Sequence, residues 1–157
     1  MSNIKKVQDF LIEHAIDAAL ITNPDNIFYL TNFRSEPHER LLGVMVFQDA
    51  EPFIICPKME VPDALATGWA HAAVGHEDTE DAWDVVLKAV EERNVHISSI
   101  AIEKSHLTVD RLERMEVIFG GVKAINLDDQ LNTMRVIKEE EESEKLRKAA
   151  ELADYAI

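Results

Sequence analysis

One cysteine, Cys56, stands among 157 residues, so an intrachain disulfide and a multi-cysteine zinc site are both excluded. It closes the apolar stretch Phe53-Ile54-Ile55-Cys56, which suits a small buried hydrophobe in a reducing compartment. Positive charge is also scarce. Sixteen Lys and Arg face 30 Asp and Glu, and the net charge is −14. A chain this acidic repels phosphate backbones and anionic lipid, so neither nucleic acid nor a membrane surface is expected as a partner. Glycine and proline number five each, which leaves no material for a long flexible linker. No stretch approaches the roughly 20 apolar residues that span a bilayer. The segment Met1 to Asp9 is polar and lacks the apolar run of a signal peptide, so a cytoplasmic location is expected. The six histidines, at 14, 38, 71, 76, 96 and 106, include no i, i+4 pair of the H-E-x-x-H kind. His71 and His76, with Glu77 and Asp78 beside them, read as a polar strand edge and loop rather than a metal site.

What is present fits one domain with a buried core: 46% of residues are hydrophobic and 29% charged. Ser2 or Asn3 can cap a first helix, whose Ile4, Val7, Phe10 and Leu11 fall at spacings of three and four. Ala18 to Ile21 is an apolar run between turn signals and predicts a buried strand. Asn23-Pro24-Asp25-Asn26 is a turn, and Asn26 can cap a short helix from Ile27 to Leu30. Tyr29 there can pack its ring while its hydroxyl finds a partner. Leu41 to Phe47 and Pro52 to Cys56, joined by Asp49-Ala50-Glu51, predict a hairpin. Pro62 and Asp63 suit a helix start and Gly68 its end. Ala72 to Val74 predicts a short strand. Thr79 to Glu92 is the clearest helix, with Ala82, Trp83, Val86, Leu87 and Val90 on one face and acids at its amino end. Then follow a strand over Ser99 to Ile102, a helix over Thr108 to Val117 closed by Gly120-Gly121, a strand over Val122 to Ile125, and a short helix over Asp128 to Met134. Alternating strands and helices with one hairpin predict a mixed α/β sheet flanked by helices.

From Lys138 onward the character changes. Glu139 to Tyr155 is helix-forming and highly charged, and Leu146, Ala149, Ala150 and Ala153 give a weak apolar stripe toward Ile157. No glycine or proline closes this helix. The expected division is one domain over 1–133, then a linker and the first helix of a second domain over 134–157.

Three segments carry a resemblance. Asn26-Ile27-Phe28-Tyr29-Leu30-Thr31-Asn32-Phe33 resembles N-I-x-Y-L-T-G-F. Arg40 precedes the apolar run Leu41 to Phe47. Met134-Arg135-Val136-Ile137-Lys138, followed by Glu141, Glu142 and Lys145 to Ala150, resembles R-x-I-K-x-x-E-E and a helix rich in Lys, Arg and Ala. In order and spacing these are similar to the amino-terminal domain of the creatinase/prolidase family, which precedes a pita-bread catalytic domain. Asn32 stands where that family usually has glycine, and asparagine is among the few residues that accept a left-handed backbone.

The resemblance implies a ribonuclease H-like mixed sheet of five to six strands flanked by helices. It implies a Xaa-Pro dipeptidase or aminopeptidase as the whole protein, a homodimer acting on proline-containing peptides. The chemistry would belong to two divalent metals, Mn or Co, held by Asp, Asp, His, Glu and Glu of the catalytic domain. None of those ligand motifs is found here, so the chain is expected to hold no catalytic residue and no metal, and to shape substrate access and support dimerisation. Relatives that bind proteins without catalysis, and creatinase-type amidinohydrolases, are the alternatives. The loop Phe33 to Arg40 is the candidate site, because polar loops on a rigid scaffold commonly carry binding groups. The resemblance places Arg40, with His38 beside it, toward the substrate of the partner subunit. An arginine fork grips a carboxylate with two hydrogen bonds. The plainer reading of Arg40 is an ion pair with Glu36 or Glu39 on a solvated loop.

Overall fold

The computed structural model describes residues 2–155. Six strands form one sheet in the order β4-β3-β2-β1-β5-β6. They are β1 (Ala18–Ile21), β2 (Gly43–Phe47), β3 (Phe53–Pro57), β4 (Ala72–His76), β5 (Ser99–Ile102) and β6 (Lys123–Asn126). β2 pairs antiparallel with both β1 and β3, while β1–β5, β3–β4 and β5–β6 are parallel. Five strands therefore share one direction and β2 alone opposes them. The helices are α1 (Asn3–Glu13), α2 (Pro24–Thr31), α3 (Val61–Ala66), α4 (Ala82–Glu91), α5 (Val109–Phe119), α6 (Asp128–Val136) and α7 (Glu140–Tyr155).

The central strands read as continuous apolar runs because both faces of the sheet are covered. Ala19, Ile21, Val44, Val46, Ile54, Cys56 and Ala101 face one layer with Ile4, Val7, Leu11, Ile27, Leu30, Leu131 and Met134. Their alternating neighbours Ala18, Leu20, Met45, Phe47, Phe53, Ile55, Ile100 and Ile102 face the other, with Trp83, Val86, Val90 and Met115. Burial pushes the Cys56 thiol up to about 12, so it stays a protonated, unreactive core group.

Local signals set the helix ends. Ser2 caps α1 by accepting from the Lys5 N–H. Asn23, three residues earlier than expected, caps α2: its Oδ1 accepts from the N–H groups of Asp25 and Asn26. That leaves the Asn26 side chain for another task. Asn32 ends α2 in the left-handed region at φ 59°, the conformation that the glycine of the resembled motif would supply. Asp81, rather than Thr79, starts the fourth helix, by accepting from the Trp83 N–H. β2 begins at Gly43, and Leu41 and Leu42 enter the core from the preceding loop. Gly75 in β4 is required by close approach, since a Cβ there would meet the Lys58 Cα at 2.8 Å.

The expected boundary at 133/134 falls inside α6, whose Met134 is buried in the core. α7 differs from all that precedes it. None of its described residues is buried, and Leu146 and Leu152 are exposed. The expected stripe's last member, Ile157, lies outside the described residues.

Candidate functional site

With five strands parallel, their carboxyl ends gather at one edge: Ile21, Pro57, His76, Ile102 and Asn126. In open α/β sheets ligands bind beyond that edge. The loop 33–40 enters β2, the one opposed strand, and so lies along the same edge. Two polar clusters are built there.

The first is buried and was not anticipated. Glu103 follows β5 and is 1% exposed. Its Oε2 accepts from the backbone N–H groups of Thr22 (2.6 Å) and Asn23 (2.8 Å), just beyond β1. Its Oε1 accepts from the Asn26 Nδ2 at 2.5 Å. The Asn26 Oδ1 in turn accepts from an Arg135 guanidinium nitrogen at 3.0 Å. The Tyr29 hydroxyl donates to the Met134 carbonyl at 3.0 Å. Two sequence segments more than 100 residues apart, 26–33 and 134–138, are thus one structural device, which fastens the end of α6 to α2. Among the described residues no buried side-chain polar atom lacks a partner, so this cluster offers nothing to a ligand.

The second cluster is half exposed and holds the loop. The Arg40 Nε stands 3.0 Å from the Asp78 Oδ1, and an Arg40 terminal nitrogen donates to Oδ2 at 3.3 Å. The partner is therefore Asp78, in the loop after β4, and neither Glu36 nor Glu39. Arg111, near the start of α5, donates to the carbonyls of Glu39 (3.3 Å) and Arg40 (3.0 Å) and so ties the loop to that helix. Among the described residues Arg111 has no carboxylate partner. His76 is not the solvated edge residue expected. It is 5% exposed, and its Nε2 is 2.8 Å from the Leu41 carbonyl, a second brace for the same loop. Ser35 donates to Glu60 at 2.6 Å, and the Arg34 guanidinium lies 4.5 Å over the Phe28 ring.

These braces shape two clefts on either side of Arg111. One, of about 480 Å³, is walled by Arg40, Asp78, Asp81 and Arg114 over Trp83. The other, of about 460 Å³, is lined by His38, Thr22, His106 and Asp110. His38 is exposed, with a left-handed backbone at φ 54°. His106 is steadied by the Thr22 hydroxyl, 2.9 Å from its Nδ1. The two anticipated residues are neighbours on one loop that face different clefts. His106 and Arg111 join them only through folding, and nothing in the sequence marks either. Among the described residues no three His, Cys, Asp or Glu side chains converge to hold a metal ion.

The fold is thus a mixed sheet with a loop braced along its carboxyl edge, and with α6 fastened to α2 by the two motif segments. The family description "Creatinase/Prolidase N-terminal domain" matches residues 3–137, and the chain belongs to that family. It is 40% identical over its full length to YkvY of Bacillus subtilis (strain 168), covering 43% of that protein. It is 36% identical over 156 residues to a Xaa-Pro dipeptidase of Lactobacillus delbrueckii subsp. lactis, covering 99% of this chain and 42% of that protein. Among solved structures, the N-terminal domain of Xaa-Pro dipeptidase from Lactobacillus brevis superposes with a TM-score of 0.81 at 32% identity, over 84% of this chain and 99% of that one. The chain thus spans less than half the length of these curated relatives. Among the described residues no helix is long and apolar enough to cross a membrane.

Proposed function

We propose that this chain serves a cytoplasmic Xaa-Pro dipeptidase or aminopeptidase as its non-catalytic amino-terminal domain. It shapes substrate access and supports a homodimer, while two divalent metals, Mn or Co, act in the protein's catalytic domain. Arg40 and His38 recognise the peptide substrate of the partner subunit. The observation that carries this reading is the placement of the loop 33–40. It lies at the carboxyl edge of the sheet, the edge beyond which ligands bind in open α/β sheets, braced from three sides by Arg111, His76 and Asp78, with Arg40 and His38 reaching solvent. Such bracing holds a recognition group in position at low entropic cost. The relatives' names support a Xaa-Pro substrate. Proline's amide nitrogen carries no N–H, so a peptidase for that bond cannot rely on this donor.

The full-length protein supplied with Mn²⁺ or Co²⁺ should cleave Xaa-Pro peptides and lose that activity to a chelator, while this domain alone should show none. Full-length protein inert on every Xaa-Pro peptide but retaining a protein ligand would favour a binding module, and hydrolysis of creatine would favour an amidinohydrolase.

A further inference from the structure

One edge of the Arg40 fork already holds a carboxylate. Asp78 meets it edge-on: Nε to Oδ1 at 3.0 Å and a terminal nitrogen to Oδ2 at 3.3 Å. A ligand carboxylate can use the same two donors in the same way. Neither side of the pair is there by chance contact. The Arg40 N–H donates to the Pro37 carbonyl at 3.0 Å and the Arg40 carbonyl accepts from Arg111. Asp78 is held by its neighbours: the buried His76 bonds the Leu41 carbonyl, Glu77 pairs with Lys58, and the Glu77 N–H donates to Glu80 at 2.7 Å. The two loops are cross-braced so that this carboxylate faces this guanidinium.

The pair is nonetheless open to exchange. Its side chains are 36% and 67% exposed, and an ion pair so solvated adds little to folding. The cleft around it is also acidic. Glu39, Glu77, Asp78, Glu80, Asp81 and Asp110 face Arg40, Arg111 and Arg114, and Arg114 is itself paired with Asp81 at 2.6 Å. A ligand carboxylate that takes the Nε edge of Arg40 must therefore displace Asp78.

Resting on the reading of Arg40 as a substrate-recognition residue, we propose that Asp78 is an internal stand-in for the substrate's carboxylate, which holds Arg40 in a resting position and lowers the affinity for peptides with a free carboxyl terminus. The competition acts on binding and leaves the bond-breaking step alone. Asp78 is thus a positioning residue, and its removal strengthens the affinity where the loss of an ordinary ion pair would weaken the site.

The test is steady-state kinetics of the full-length protein on a Xaa-Pro dipeptide, with Asp78→Asn, Arg40→Gln and the double variant. Asp78→Asn should lower KM by roughly two- to fivefold, the scale of an exposed ion pair, with kcat changed less than about twofold. In the Arg40→Gln background the same substitution should leave KM where Arg40→Gln alone puts it. If Arg40→Gln raises KM while Asp78→Asn leaves it unchanged or raises it, the stand-in role is overturned and the reading of Arg40 stands. If Arg40→Gln leaves KM unchanged, both are overturned.

Discussion

At the carboxyl edge of the sheet, Glu103 is 1% exposed with three N–H donors on its carboxylate, while Arg40 is 36% exposed at its side chain with one exchangeable partner. The two stand beyond neighbouring parts of the same sheet and are both charged, yet the physics assigns them opposite work. Burial makes every missing partner costly, so the Glu103–Asn26–Arg135 chain is closed and structural. Exposure makes each partner replaceable, so Arg40 can exchange Asp78 for another carboxylate, as the proposed role requires.

The buried cluster gives the larger effects. Glu103→Ala strands two backbone N–H groups and the Asn26 amide, and should destabilise the domain by roughly 3–5 kcal/mol, a fall in Tm on the order of 10 °C by calorimetry. A loss below about 1 kcal/mol would show that water replaces the carboxylate and that the cluster is not closed. Arg135→Leu removes one bond to the Asn26 Oδ1 and should cost about 1–2 kcal/mol in urea unfolding, with hydrogen exchange rising at the end of α6. Unchanged protection there would break the claim that the two motif segments form one device.

Asp17 is an intermediate case and supplies a pH lever. Burial pushes its pKa up, but hydrogen bonds from the Ser98 and Ser99 N–H groups and the Ser99 hydroxyl outweigh this and bring it below the ordinary 3.8. A lowered folded pKa means that this stabilisation is complete above 3.8 and is lost as pH falls through the folded value. The natural protein should therefore lose more stability than Asp17→Asn between pH 6 and about pH 3, by urea midpoints. Equal losses would remove Asp17 from the account.

The contrast also explains what the sequence could say. Ala18–Ile21, Pro52–Cys56 and Ser99–Ile102 were readable as strands because both sheet faces are covered and their buried positions are apolar. Caps were readable to within two or three residues, since Asn23 and Asn26, or Thr79 and Asp81, can all accept from a helix N-terminus and only the folded backbone chooses between them. Glu103 was invisible. It opens a polar turn, and its donors at Thr22, Asn23 and Asn26 lie some 80 residues away. Arg40 could be singled out as a candidate, but its true partner could not. Glu36 and Glu39 are near in sequence, whereas Asp78 is brought to it by the β3–β4 crossover. The role proposed for His38 rests on its loop alone, since His106 meets it only across a cleft.

The most direct measurement compares Arg40→Gln with the natural full-length protein on a Xaa-Pro dipeptide and on the same dipeptide with its terminal carboxylate converted to an amide. The account predicts a KM raised roughly tenfold or more on the free dipeptide, the scale of a charged hydrogen bond, with little change on the amide and a Tm within about 2 °C of the natural protein. Equal effects on both substrates, or none on either, would contradict it and leave the loop as a braced but passive connection.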